Sequence, residues 1–360
     1  MKKGGASVGV QRQYCGRLGK LENCQVAVFA CLGRGERAAL IDARLFLPEA
    51  WVKDDARCRK AGVPEAGRVH RTKAELALAM VRAARERSAG KGLWQWIGGD
   101  EVYGSNRALT DALEDLGETF LMDIARNHTL WDADPCPQLP AAARGRPATR
   151  ARAAHPRARA WKASDLSAAH FEKESRLMTL RETTKGPLRA RLWVRAVWQW
   201  EAGEERARAR LLVVRREAGG SHKYSLTNAP ADSAWARLGL MQCQRFFIER
   251  AFEDARSELG LAQYEVRGWR GWHHPFGRLR ASRPIARCCL ALLFTLRERL
   301  AHAEAVPLLS VRDIVELLEI YLPRRTRDPD EVLAALQARH AARAAATASF
   351  RKRARSVITK

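Results

Sequence analysis

The sequence predicts an α/β fold, and two observations carry that expectation. Between Asn23 and Ile124 the chain reads hairpin, helix, strand, helix, strand, and hydrophobic residues make up 46% of its 360 positions. That apolar share suits a folded chain with a large core, and alternating strands and helices pack as helices on a sheet.

The hairpin comes first. Val26 to Leu32 and Ala38 to Phe46 are β-rich runs on either side of Gly33-Arg34-Gly35-Glu36-Arg37. Thr72 to Arg87 carries Leu76, Leu78, Met80 and Val81 among alanines and charges, with Thr72 placed to cap, so the spacing predicts an amphipathic helix. Leu93-Trp94-Gln95-Trp96-Ile97-Gly98-Gly99-Asp100 reads as a strand ending in an acid. A helix over Asn106 to Leu116 and a strand over Thr119 to Ile124 follow. From Pro135 to Trp161 the composition shifts to Ala, Pro and Arg, which predicts a mobile basic loop. Three more strands are predicted near Arg191–Trp200, Arg208–Val214 and Lys223–Leu226, with Gly203 and Gly219-Gly220 in the turns. A helix then runs from about Ala234 through Glu258 and stops at Gly260. Beyond it lie an apolar run from Cys288 to Leu300 and a helix over Val311–Tyr321. A last helix is announced by Asp328-Pro329-Asp330-Glu331 and ends in the basic tail Arg351-Lys352-Arg353-Ala354-Arg355.

Charge narrows the function. The net charge is +24, from 64 Lys plus Arg against 40 Asp plus Glu, and this excess suits a polyanionic partner, with nucleic acid leading. No apolar run reaches transmembrane length and Met1-Lys2-Lys3 opens no secretory signal, so a cytoplasmic protein without a membrane partner is expected. The eight cysteines form no Cys-x-x-Cys pair and no zinc spacing, which predicts buried thiols in a reducing compartment.

Five stretches, in order, carry a resemblance: Ser7-Val8-Gly9-Val10-Gln11-Arg12-Gln13-Tyr14-Cys15-Gly16, Gly99-Asp100-Glu101-Val102-Tyr103-Gly104, Thr183-Thr184-Lys185-Gly186-Pro187, Lys223 to Pro230, and Gln263 to Trp272. With them the chain resembles bacterial insertion-sequence transposases of the DDE endonuclease type, in the branch marked by Tyr, Arg, Glu and Lys at helical spacing. The resemblance implies a ribonuclease-H-like core with an all-β insertion between the second catalytic Asp and the Glu, plus C-terminal helices. The implied layout is 1–134 for the first part of the core, 135–160 for the basic loop, 161–232 for the β insertion, 233–300 for the catalytic-Glu helix with the rest of the core, and 301–360 for C-terminal helices and tail. It also implies a two-metal mechanism with Mg²⁺, or Mn²⁺, acting on double-stranded DNA at transposon ends and target, in a homodimeric synaptic complex. In such proteins the first catalytic Asp precedes the Lys-Lys-Gly before the Ser-Val-Gly-Val run, whereas Lys2-Lys3-Gly4 here follows Met1. An N-terminally truncated transposase, inactive without that Asp, is therefore expected; a non-catalytic DNA-binding remnant is the alternative, and an unrelated RNA-binding protein a third.

The resemblance assigns roles residue by residue. Asp100 and Glu249 become the metal ligands, because a hard divalent cation needs carboxylate oxygens on rigid backbone; helix capping is the plain alternative for Asp100. Arg245, four residues before Glu249, and Arg256, seven after, share its helix face and are expected at phosphate, though the Arg245–Glu249 pair alone explains their spacing. Two positions depart from the branch pattern: Gln242 stands for the Tyr and Arg256 for the Lys. Glu253 competes with Glu249, while Asp42 and Asp123 are weak substitutes for the missing Asp. Tyr103, Lys185, Arg267, Trp269, Arg270 and Trp272 are the expected DNA contacts, with core packing at least as good a reading for the two tryptophans. Trp193, Trp198 and Trp200 are read as core. Between Pro275 and Pro284 the basic, proline-bounded segment departs from the family's long apolar helix.

Overall fold

The structure, a computed structural model, describes residues 4–16, 18–88, 92–140, 150–181, 186–217, 219–261, 267–273, 284–322 and 328–358. The chain divides into two compact units, Met1–Pro307 and Leu308–Lys360.

The first unit opens with two antiparallel hairpins. Strands β1 (Gln11–Cys15) and β2 (Lys20–Cys24) form one that sequence reading missed, because β1 is largely exposed and carries no apolar alternation. Strands β3 (Ala27–Arg34) and β4 (Arg37–Leu45) form the expected one, with a register shift at Ala30/Cys31 and Gly35 at φ 60° in the turn. Helices α1 (Glu49–Val52) and α2 (Asp55–Lys60) then pack on Val8, Val10 and Leu47 through Trp51 and Cys58, and the Trp51 indole donates to the Val10 carbonyl at 2.8 Å. Helix α3 (Lys73–Arg87) starts at Thr72 with a full capping box to Glu75, a reciprocal pairing that satisfies two end amides.

Next come β5 (Ile97–Gly99), α4 (Glu101–Gly104), α5 (Arg107–Asp115), β6 (Phe120–Asp123), β7 (Thr129–Trp131), β8 (Pro137–Gln138), β9 (Arg152–Ala153), β10 (Ala160–Lys162) and α6 (Ala163–Glu174). Strands β11 (Arg176–Arg181), β12 (Leu188–Gln199), β13 (Arg208–Arg216) and β14 (His222–Thr227) lead into α7 (Trp235–Ser257), α8 (Trp269–His273) and α9 (Pro284–Ala301). The second unit holds α10 (Val311–Tyr321), started by a Ser310/Asp313 capping box, and α11 (Pro329–Ile358).

One mixed sheet runs β10-β7-β12-β13-β14-β6-β5, with β11 also on β12; among the described residues only the β5–β6 pair is parallel. This mixed α/β core is compatible with the ribonuclease-H-like arrangement that the resemblance implies. The strands expected as a β insertion continue that sheet, because β14 bonds directly to β6. The basic loop also differs from expectation. Residues 141–149 of it lie outside the described ones, but its flanks pair as β8–β9 and β10–β7, and Asp132 accepts from the Arg159 amide and the Trp161 indole at 2.8 and 2.9 Å.

Side-chain alternation sorts the core into layers. Phe120 and Met122 meet Leu109 and Leu113 of α5 and Ala74 of α3, whereas Leu121 meets Leu238 and Met241 of α7 on the opposite face. Trp193, Val197 and Leu226 pack on Leu166 and Phe171 of α6. Helix α3 packs on the β3–β4 hairpin and on α5, and α7 packs on β3, β4, β5 and β6, so both helices span the interval between hairpin and sheet. Across that interval β3 bonds only to β4, and β5 ends the sheet, so the two edges bordering it are unpaired among the described residues.

Candidate functional site

The site starts at the two parallel strands. Their register pairs Ile97 with Phe120, Gly98 with Leu121 and, last, Gly99 with Met122, so Asp100 and Asp123 are the next residues along each. Since Leu121 faces α7, strand alternation assigns Asp123 to the α7 face. Asp100 also caps α4: its carboxylate accepts from the Val102 amide at 3.0 Å. Helix α4 lies hard against the end of β6, where a Cβ on Gly104 would stand 2.0 Å from the Asp123 carbonyl oxygen.

Asp123 is 7% exposed and is held by three partners. Arg245 reaches its Oδ2 at 2.8 Å, Lys223 reaches the same oxygen at 3.2 Å, and the Ser225 hydroxyl donates to Oδ1 at 2.8 Å from the paired position on β14. Burying a carboxylate is costly unless it is paired and hydrogen-bonded, and these groups supply the pairing. Arg245 then bridges to Glu249 at 3.2 Å, one helical turn on. Gln242 donates to Ser225 Oγ at 2.9 Å, so the residue standing for the branch tyrosine is buried support beneath the cluster.

The fold thus gathers Asp123, Arg245, Lys223 and Glu249, with Asp100 one residue past the paired end of β5. Glu253 pairs with Arg250 rather than Arg245, and Asp42 pairs with Arg44 and Arg87. Arg256 lies over the Phe252 ring at 5.7 Å in the last turn of α7. Tyr103 is half-buried in the apolar layer beneath β5, and burial, then the charge of Asp100, push its phenol up to about 12. Trp272 is buried and Trp269 half-buried in the core under the N-terminal hairpins, while Arg267 and Arg270 beside them are exposed. Lys185 lies outside the described residues.

Sequence reading kept Asp123 only as a weak candidate and gave Lys223 and Ser225 no role. The signal was present, since Thr119 to Asp123 repeats the apolar-run-then-acid construction of Leu93 to Asp100. What was missing was the pairing of β14 with β6, a contact between residues far apart in the chain.

The acids do not by themselves fit a divalent cation. Among the described residues no group of three or more His, Cys, Asp or Glu side chains converges, and guanidinium and ammonium groups already neutralise Asp123. No described helix is long and apolar enough to cross a membrane.

No curated protein matches the chain. Residues 1–187, which include Asp100 and Asp123 and stop short of Arg245 and Glu249, match the family described as DDE superfamily endonuclease, and with more than half of its 360 residues so matched the chain belongs to that family.

Proposed function

We propose that the chain is an insertion-sequence transposase subunit that engages DNA at the sheet end where β5 and β6 meet α7. Asp100 and Glu249 are the carboxylates that would hold a metal once a third acid joins them, Arg245 is the cation for the reacting phosphate, and Arg256 lies farther along the same helix. The observation that carries this reading is the cluster at the sheet end, where Asp123 at the end of β6 is joined through Arg245 to Glu249 and Asp100 follows the last paired residue of the parallel strand β5.

The set is short of one carboxylate, and the gap between β3 and β5 is where we place it. A cavity of about 690 Å³ there is lined by Cys31 to Gly35, Trp94 to Gly99, Asp123, Arg245 and Ile248, with an apolar cavity of about 190 Å³ beneath it against α3 and α5. One extended strand seated there would pair both open edges and end beside Asp123. An acid on it would compete with Asp123 and Glu249 for Arg245 and leave a carboxylate set that Mg²⁺ or Mn²⁺ can join. The second reading is a non-catalytic DNA-binding subunit, favoured by the way Arg245 and Lys223 already fill the space between the acids.

The test compares the chain with a version extended by an apolar strand ending in Asp, on DNA bearing the element's ends. Cleavage in Mg²⁺ only by the extended version, lost in Asp100→Ala and Glu249→Ala, supports the first reading. Duplex binding by both without cleavage supports the second, and absence of any DNA binding overturns both. The duplex partner and the homodimeric synapse are tested in the same experiment by sizing the DNA complex.

A further inference from the structure

A groove of about 800 Å³ opens on the other side of Arg245, between α7 and the ends of β11 to β14. Its lining is uneven in charge: seven arginines and lysines, three of them Arg189, Arg191 and Lys223, against Glu217 and Glu249. Both acids are already paired, Glu217 with Arg215 at 2.5 Å and Glu249 with Arg245 at 3.2 Å; Arg181, Arg216 and Lys223 pair with Glu36, Glu172 and Asp123 outside the lining, which leaves Arg189 and Arg191, with no ion pair among the described residues, as the positive wall of the groove. Apolar surface lies within it. Phe246 is 54% exposed, and Leu177 and Leu188 are exposed at the rim. The Phe246 ring is held from behind, edge-to-face on the buried Phe247 at 5.5 Å, with the Arg181 guanidinium 5.6 Å from its centre. Arg181 is itself fixed by Glu36 at 2.8 Å.

A held, exposed aromatic ring inside a cation-lined groove matches one ligand chemistry, a polynucleotide strand with unpaired bases. Duplex DNA offers its phosphates to such a wall but hides its base faces; an unpaired strand offers both. We propose that this groove binds the unpaired DNA segment adjoining the reacting phosphate, with its backbone along Arg189, Arg191 and Lys223 and one base stacked on Phe246. The inference rests on the DNA-acting reading above and adds the substrate form. Because Gln242 and Arg245 line both the groove and the cavity beside Asp123, a strand leaving the groove arrives at the Asp123–Arg245 cluster.

Fluorescence anisotropy on the full chain tests this, using labelled blunt duplexes and the same duplexes with a five-nucleotide single-stranded overhang. The wild type binds the overhang form about tenfold more tightly, the scale expected of one stacked base. Phe246→Ala abolishes that preference and changes blunt-duplex affinity less than twofold, whereas Phe246→Trp keeps it. Arg189→Ala lowers the slope of log affinity against log salt by about one, as expected for one lost phosphate contact. Thermal melting of each variant shows whether it has folded, and Arg189→Ala on the exposed rim stands in for Phe246→Ala if the latter melts early. Equal binding of both DNA forms by the wild type, or an overhang preference that survives Phe246→Ala, overturns the groove while leaving DNA binding intact. Failure of the wild type to bind either form removes the reading beneath it.

Discussion

Gly104→Ala tests the geometry of the site without touching an acid. The added Cβ would stand 2.0 Å from the Asp123 carbonyl oxygen, 2.9 Å from its carbon and 3.0 Å from the Met122 Cβ, while ordinary contact begins at 3.4 Å. Helix α4 must therefore retreat from β6 by about 1.4 Å at the oxygen, and the obstacle is backbone, which cannot rotate away. Overpacking typically costs about 1–3 kcal/mol, and a backbone neighbour puts this substitution at the upper end, near 3 kcal/mol. At roughly 2 °C per kcal/mol for a unit of this size, the melting temperature should fall by about 6 °C. Because α4 is capped by Asp100, the same retreat carries that carboxylate away from Asp123, and a displacement of about 1 Å can cost on the order of a hundredfold in catalysis. Calorimetry on Gly104→Ala beside Gly98→Ala measures the effect. Gly98 is the control, since its nearest neighbour to an added Cβ is the Leu121 oxygen at 3.6 Å. If Gly104→Ala melts within 1 °C of the wild type, the close approach of α4 to β6 is not real and the placement of Asp100 at the sheet end loses its support.

Glu114 on α5 accepts from Arg208 at 2.6 Å and from both terminal nitrogens of Arg210, whose side chain has no exposed area, so Glu114→Ala should cost about 3 kcal/mol by leaving a buried guanidinium to Gln199 and Asp111. Burial pushes Glu114 up, but hydrogen bonds and charge from Arg210 and then Arg208 hold it below the ordinary 4.5. Its stabilisation is thus complete above about pH 4.5 and fades as pH falls toward the lower folded value, so melting curves of variant and wild type should converge in acid; a gap that widens below pH 4.5 would contradict the linkage. Among the thiols, burial pushes Cys31 up to about 12 and Cys288 to about 11, while Cys136 is exposed. At pH 8 an alkylating reagent should modify Cys136 in the native protein and reach Cys31 and Cys288 only after unfolding, and peptide mass spectrometry showing early labelling of Cys31 would count against a packed β3.

Local signals in the sequence were sufficient for the elements that make their own case. Thr72 with Glu75, Asn106 before α5 and Ser310 before α10 all cap as side-chain chemistry requires, and alternation located β12 to β14. Gln11 to Cys15 escaped because an exposed hairpin strand needs no apolar face. At the site, the roles of Glu249 and Arg245 came from the resemblance, while spacing along one helix gave only their shared face and the ion pair they form. The role of Asp123 was not legible, because its partners Ser225 and Lys223 sit on β14, about a hundred residues away, and only sheet pairing joins them. For Trp269 and Trp272, where aromatic residues among charges left DNA contact and core packing both open, and for Tyr103, which came from the resemblance, the fold buries much of each ring.

The unpaired edges of β3 and β5 also bear on how the protein behaves in concentrated solution. Exposed strand edges are templates for a neighbour's backbone, and two of them facing one gap invite exchange of strands between molecules. The net charge of +24 opposes such encounters by mutual repulsion, which salt screens. Aggregation of the purified chain should therefore rise with ionic strength, the opposite of the usual benefit of salt to a basic protein, and polyanions that coat the surface should suppress it.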